Sequence, residues 1–337
     1  MTTTIHAIGF HRGLPIDDPQ SLVDLWIPAP EPGPRDLIVR PEAVSVNPVD
    51  IKVRQSSGPD EAGRVIGYDA SGTVIAVGSQ VSLFAAGDEV FYAGAIDRPG
   101  TNADLHAVDE RIVGHKPQRL SHAEAAAMPL TSITAWESLF DHLRLGVTSD
   151  GTLLVVGGAG GVPSTLIQLA RQLTGLTVIA SASRPESARW VTELGAHHTI
   201  DHRHDLAGQL RLLAPDRLDY VFTSHTDTTL IATLAEAVRP FGQIVGIDDP
   251  AGLDMMPLKS RSLTWHWESM FSRSQYQTSD MVEQHHQLDT VSRLLDEGVL
   301  RTTLTTTLTG FDAATLREGH RLVESGKMIG KVVVSRS

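Results

Sequence analysis

The sequence predicts an α/β protein in which a β-rich antiparallel region precedes a parallel sheet wound with crossover helices. Three observations predict it. Up to about residue 127, short alternating or β-branched runs such as "DLIVRPEAVSV", "GTVIAVGSQV", "GDEVFYA" and "LHAVDERIVG" are separated by Pro and Gly, the pattern of antiparallel sheet or barrel. From about 128, apolar strand runs alternate with helical periods, which implies a parallel sheet. After about 270 the texture changes again, to helix, strand, helix and closing strand. With 337 residues, 41% of them hydrophobic, the chain can bury a large core and is long enough for about two domains.

In the middle region, "TLLVVGG" reads as a strand, and the helix after it carries Val162, Leu166, Leu169 and Leu173 on one face. There follow strand "LTVIASA", helix "ESARWVTEL", strands "HHTID" and "LDYVFTS", helix "LIATLAEAV" and strand "GQIVGID". The last region holds a long helix near "SDMVEQHHQLDTVSRLLDEG", strand "TLTTTLT", helix "DAATLREGHRLVES" and strand "GKVVVS".

Composition narrows the function classes. The 28 basic and 40 acidic residues give a net charge of −12, with no block of Lys or Arg, so nucleic acid and anionic membrane are not expected as partners. No cysteine occurs, which removes a disulfide framework, a thiolate zinc site and a cysteine nucleophile. The opening "MTTTIHAIGFHRG" has neither a basic leader nor a continuous apolar stretch. No run reaches the roughly 18 apolar residues of a membrane span, and a cytoplasmic location is expected.

The stretch "VVGGAGGVPSTLIQLAR" (155–171) carries the first chemical signal. It reads as a dinucleotide-binding turn with Gly158 and Gly160 in the G-x-G positions, but Pro163 stands where the third glycine would be. Proline is compatible with the first helical turn, where its missing amide has no intrahelical partner anyway. The amides of Gly160, Gly161 and Val162 are expected to point at a pyrophosphate with the helix dipole behind them. An NAD site usually has Asp or Glu about 20 residues on; here Ala182 stands 21 residues after Gly161, within "ASASRPES". Ser181, Ser183 and Arg184 would donate to a 2′-phosphate, which favours NADP(H). Alternatively, Ser183 and Arg184 only cap and solubilise a helix starting at Pro185.

The order of these pieces resembles the medium-chain dehydrogenase/reductase superfamily. The resemblance rests on "SVNPVDIKVR", "GYDASGTVIAVG", "MPLTSITAWESL", "GGAGGVPS", "ELGAHHTID" and "SGKMIGKVVV" and covers nearly the whole chain. It implies a GroES-like β-barrel catalytic domain (1–127), a Rossmann doubly wound parallel-sheet NADP-binding domain (128–270), and a segment (271–337) returning to the catalytic domain. Within the superfamily the chain is similar to the quinone oxidoreductase-like branch, in particular to proteins labelled zinc-type alcohol dehydrogenase-like. Yet the positions that the resemblance aligns with catalytic zinc ligands are Asn47, Tyr68 and Leu130, none a competent ligand in its ordinary state. No metal is expected. The His-rich "HHTIDHRH", with His197, His198, His202 and His204, reads as a solvated turn, with His202 near the adenosine phosphate.

Without a metal to polarise a carbonyl, plain alcohol oxidation loses its Lewis acid. A quinone or an α,β-unsaturated carbonyl needs only a donor at the developing oxyanion and then a proton. The resemblance implies that Lys52 contacts the nicotinamide ribose or helps place the acceptor, with Asn47 and Asp50 shaping the same wall. Tyr68 is a candidate for oxyanion support or proton relay. The plainer readings are a surface Lys52, an Asp50 that caps local backbone and a Tyr68 that fills space. Thr134 is expected near the nicotinamide end, or as a local helix cap, and Ile247 completes the expected cofactor contacts. Trp267, Met270 and Phe271 are suited to gripping a flat acceptor or a dimer mate, or else pack the core; Arg273 can reach cofactor or substrate. Lys331 either faces the cofactor cleft or is an edge-strand lysine. The expectation is an NADPH-dependent, zinc-independent reductase and a homodimer. A non-catalytic NADPH-binding or regulatory protein and a zinc alcohol dehydrogenase are the alternatives.

Overall fold

The computed structural model describes residues 3–215 and 218–336. The chain divides into two compact units: one runs up to Ile133 and resumes at Phe271, and the other spans Thr134–Met270.

The first unit is the GroES-like barrel domain. Its larger sheet has Asp36–Ser45 paired antiparallel with both Ala70–Val77 and Lys331–Ser335, and Leu304–Thr309 runs parallel on the far side of Lys331–Ser335. Glu89–Tyr92 and Val113–His115 extend it, His106–Asp109 pairs with Asp36–Ser45, and a smaller sheet joins Val23–Pro28, Thr4–Phe10 and Arg64–Val65. The run expected to reach residue 81 ends at Val77, because the backbone turns at Gly78, where a Cβ would lie 2.0 Å from the Gly33 carbonyl oxygen. Within "LHAVDERIVG" a single 3₁₀ turn (Glu110–Ile112) splits the expected strand, capped by the Asp109 carboxylate on the Arg111 amide. Helix Pro48–Ser56 has Pro48 in its first turn, and Asp50 accepts from the Asn47 amide at 2.7 Å.

The second unit is the Rossmann domain, a six-stranded parallel sheet in the order 198–200, 177–181, 152–156, 218–223, 238–246, 264–267. Leu154, Ile179, Val221 and Ile244, from four of these strands, are buried in one apolar cluster with Ile231 and Leu234 of helix Thr228–Ala237. The sheet's last strand, Thr264–Trp267, lies in the aromatic "LTWHW", where β-favouring rings replace the aliphatic run of its neighbours. No helix among the described residues is long and apolar enough to cross a membrane.

Candidate active site

The glycine turn follows strand Thr152–Val156 and opens helix Gly161–Leu173. Its tight bend is made by Gly157, at φ +75, rather than by Gly158 as the sequence pattern suggests. A Cβ on Gly157 would also lie 2.5 Å from Ser224 Oγ. Gly158 is held by close packing instead, since a Cβ there would meet Ser181 O at 3.0 Å and Ala180 Cβ at 3.1 Å. Gly160 differs from both. Its φ of −70 suits any residue, and a Cβ would approach nothing closer than 3.4 Å. The space above it is therefore open, as a backbone approached by a pyrophosphate requires.

Pro163 is the third residue of the helix, after the Gly160 cap, and the first helical bond runs from Ser164 N to Gly160 O at 3.0 Å. The proline thus removes an amide that had no intrahelical acceptor. One expectation is corrected: the Gly160 amide donates to Gly157 O at 2.9 Å. This closes the turn and leaves the first-turn amides of Gly161 and Val162 as the donors for an anion. These features fit a dinucleotide.

At the adenosine end, Ser181 departs from its expected part. It is 2% exposed, and its hydroxyl accepts the Gly157 amide at 2.9 Å, tying strand 177–181 to the turn. Ser183 and Arg184 lie half-buried at the end of that strand, Arg184 capping helix Pro185–Glu193 with its guanidinium 3.5 Å from Glu186. His202 is exposed. The sequence reading missed Arg203, whose guanidinium pairs with Asp201 at 2.8 Å and donates to the Ser183 carbonyl. The parallel register Ser181↔Ile200 carries it there, a signal available only once the two strands are known to be neighbours. Ile247 donates its amide to Thr223 O at 3.2 Å. Thr134 sits in the second turn of helix Pro129–Trp136, too deep to be its cap, with its carbonyl accepting from Ser138 Oγ.

In the barrel unit a second cluster forms around Asp69. The chain leaves strand Arg64–Val65 and bends at Gly67, at φ +120, where a Cβ would lie 2.5 Å from Thr101 Oγ1. That bend buries Tyr68 and Asp69. Asp69 then accepts from four donors: Ser45 Oγ at 2.7 Å, Asn47 Nδ2 at 2.8 Å, Lys331 Nζ at 3.2 Å and the Leu130 amide at 2.7 Å. Burial raises the Asp69 carboxyl, opposed first by the Lys331 charge and then by the Asn47, Leu130 and Ser45 hydrogen bonds. The four donors all match a carboxylate.

Lys331 is neither an edge-strand lysine nor open to a cleft. It is 4% exposed on a strand with neighbours on both sides, and its ammonium also reaches Asn47 Oδ1 and Val46 O. A buried ammonium needs such a counter-charge, which fixes it inside the barrel. Tyr68 packs edge-on against Phe271, ring centroids 5.3 Å apart. Its phenol is raised first by burial and next by the Asp50 charge, with Arg64 opposing. The Tyr68 hydroxyl, Asp50 Oδ1 and the Ser132 hydroxyl are buried with no hydrogen-bond partner among the described residues. Orphaned polar atoms of this kind mark places where a ligand or water belongs. The structure thus brings together Asn47, Asp50, Tyr68, Lys331 and Phe271, and adds Asp69, which the sequence did not single out.

The remaining candidates lie elsewhere. Lys52 is exposed on helix Pro48–Ser56, and Arg273 pairs with Asp280 at 3.1 Å. Met270 is buried in the other unit, where Trp267, 54% exposed, meets Trp265 edge-on at 5.1 Å.

A family model described as an alcohol dehydrogenase GroES-like domain matches residues 33–131, and one described as a zinc-binding dehydrogenase matches residues 194–334. The chain is 36% identical over 336 residues to a zinc-type alcohol dehydrogenase-like protein of Staphylococcus aureus (strain MSSA476), covering 97% of this chain and 99% of that protein. The chain belongs to the medium-chain dehydrogenase/reductase superfamily. It is an oxidoreductase of that superfamily. A crystal structure from Rhizobium etli CFN 42, provisionally described as a zinc-dependent alcohol dehydrogenase, matches at TM-score 0.96 with 51% identity, over 100% of this chain and 99% of that one. An NADPH-dependent alkenal/one oxidoreductase of Arabidopsis thaliana is 35% identical over 206 residues, 58% of this chain and 51% of that protein.

Zinc, which some of these descriptions carry, does not fit the three aligned positions in this dehydrogenase/reductase. Leu130 has no donor side chain, and Asn47 turns its amide nitrogen to Asp69 and its oxygen to the Lys331 ammonium. A metal there would face a cation already in place.

Proposed function

We propose that the protein is a metal-independent, NADPH-dependent oxidoreductase that delivers hydride to a quinone or an α,β-unsaturated carbonyl. The observation that carries this reading is the Lys331 ammonium joined to Asn47 and Asp69, which gives the aligned zinc positions an internal cation and hydrogen-bond donors instead of metal ligands. The part-length likeness to a plant alkenal/one oxidoreductase supports the same acceptor class.

When bound, the coenzyme supplies the hydride. The protein's own groups do the rest. The first-turn amides of Gly161 and Val162 hold the pyrophosphate over the open space at Gly160, backed by the helix dipole. Ser183, Arg184, His202 and Arg203 surround the 2′-phosphate, while Thr134 and Ile247 place the nicotinamide end. Asn47 and Asp50 shape the acceptor wall, Phe271 grips its plane, and the Tyr68 hydroxyl donates to the oxyanion as it develops. The reading carries with it a homodimer, which sedimentation of the purified protein tests.

The decisive assay follows NADPH and NADH oxidation across quinones and enals in chelator-treated protein. NADPH turnover is expected to exceed NADH turnover and to survive chelation. Arg184→Ala and Arg203→Ala are each expected to raise KM for NADPH about tenfold, one lost charge-assisted contact, with little change for NADH. Loss of turnover on chelation, restored by zinc, overturns the metal-independent reading.

A further inference from the structure

Two strands and a turn of the Rossmann unit frame a polar cavity apart from the glycine turn. Gln243 and His266 stand on one sheet face, because Gln243 pairs with Thr264 and His266 lies two residues further along that strand. His266 Nε2 meets Gln243 Oε1 at 3.0 Å. Glu137–His142 form a π-helical turn, with Leu143 N donating to Ser138 O at 3.1 Å. This turn brings the His142 ring within 5.5 Å of the His266 ring and its Nε2 within 2.7 Å of the buried Glu268 carboxylate. The chain then bends at Arg144, held at φ +54. Non-glycine residues in that region and π-helical turns both concentrate at functional sites.

Between these pieces lies a cavity of about 340 Å³ lined by Asp141, His142, Arg144, Gln243 and His266. All five residues belong to one unit. Gln243 is level with Tyr220 and Leu153, two strands to the side of the strand that feeds the glycine turn. The charges are unbalanced. Arg144 is exposed and makes no ion pair or hydrogen bond with any described residue. Glu268 is engaged by His142, and Asp141 is the one carboxylate among the lining residues. His266 spends Nε2 on Gln243, so Nδ1 is the nitrogen left to take up a proton. Burial, then the His142 charge, then the Arg144 charge push the His266 imidazole down. In a chain of net charge −12, three cation-forming side chains share one cavity with a single acid on its wall.

We propose that this cavity binds a small tetrahedral oxyanion, a phosphate or a phosphomonoester, through the Arg144 guanidinium, the Gln243 amide and a protonated His266. Arg144 supplies a permanent charge and a planar fork suited to phosphate oxygens. His266 supplies a charge that follows pH. An anion offsets the repulsion that keeps His266 neutral, so binding and protonation favour one another by the same factor. Binding therefore takes up a proton and tightens as pH falls. The volume lies within the range of small-molecule sites, which leaves room for the organic part of an ester. None of this depends on the reductase reading.

Sulfate is the first probe, since its charge stays constant from pH 6 to pH 8 whereas that of phosphate does not. Calorimetric titration at fixed ionic strength is expected to show saturable binding at least about tenfold tighter at pH 6 than at pH 8, the linkage of up to one proton. Heats in two buffers of different ionisation enthalpy are expected to report net proton uptake. Arg144→Gln is expected to weaken binding at least about tenfold at both pH values, the loss of one charge-assisted contact, with Tm little changed at so exposed a position. His266→Gln is expected to bring the pH 6 affinity down to the pH 8 value and to remove the proton uptake. Glycerol 3-phosphate and inorganic phosphate, compared at pH 6, separate the two sources. Tighter binding of the ester assigns the cavity to a phosphorylated metabolite, and equal binding assigns it to the free ion. Absence of saturable binding, an affinity independent of pH, or binding unaltered in Arg144→Gln and His266→Gln each overturns the proposal. No arm uses coenzyme or acceptor, so a failure of the reductase reading leaves the outcome untouched.

Discussion

The glycine turn of the Rossmann unit and the Asp69 cluster of the barrel unit are built by opposite routes. The turn is built from main chain within one stretch, residues 156–164, and its chemistry lies in amides that every residue but proline carries. The cluster is built from side chains at Ser45, Asn47, Asp50, Tyr68, Asp69 and Lys331, drawn from segments far apart in sequence and joined by sheet pairing. A main-chain site tolerates an odd side chain such as Pro163, provided no required amide is lost. A buried side-chain site does not, because each of its charges depends on another.

That contrast is tested most severely at Lys331. Replacing it with Met leaves the Asp69 carboxylate buried without its cation, a loss of about 3–5 kcal/mol. The expected outcome is a fall in Tm of about 4–7 °C for a chain of this size, largely regained in the Lys331→Met/Asp69→Leu double variant. Calorimetry reads both, and a double variant no better than the single one shows that the pair is not the source of the loss.

A smaller effect sharpens the point for a buried group that lacks a partner altogether. His320 is fully buried with neither ring nitrogen hydrogen-bonded among the described residues, and burial, followed by the Arg54 charge, lowers it to about 3. The folded protein keeps it neutral while the unfolded chain protonates it below about 6.5. Its share of stability is therefore present above that value and declines as pH falls, by about 2 kcal/mol at pH 5. His320→Leu is expected to soften the acid decline in denaturant titrations. An identical decline in both proteins removes His320 from the account.

The smallest effects separate the glycines. Gly157→Ala is expected to cost about 1–2 kcal/mol, the penalty of a Cβ in the left-handed region. Gly160→Ala leaves Tm within a few degrees but weakens coenzyme binding about tenfold or more, read by titration calorimetry. Equal losses of Tm in the two variants show that the open space at Gly160 serves packing.

The same contrast explains what was legible in the sequence. The central strands and helices of the Rossmann unit stand close to their expected places because strand and helix periods alternate there without interruption. The turn around Gly160, Gly161 and Val162 could be singled out because these residues are neighbours along the chain, but not that the Gly160 amide is spent on Gly157 O. The exact glycine at the bend was not, since φ is a property of the folded turn. Nor was Arg203, which meets Ser183 only through the parallel register of two strands. In the barrel unit, Asn47, Asp50 and Tyr68 were found through resemblance, but Asp69 and the burial of Lys331 were not. A lysine near a chain end looks like solvent-facing polarity until the pairing Val333↔Ser45 places its strand in the middle of a sheet.

That pairing also orders events during synthesis. Ser45 waits for Val333, while every strand of the parallel sheet lies within the continuous stretch 152–267. The inserted unit can therefore reach its native topology while the barrel still lacks a staple for Asp69. Until the ribosome releases that late strand, Asp69 has its donors at Ser45, Asn47 and Leu130 within reach but not its counter-ion.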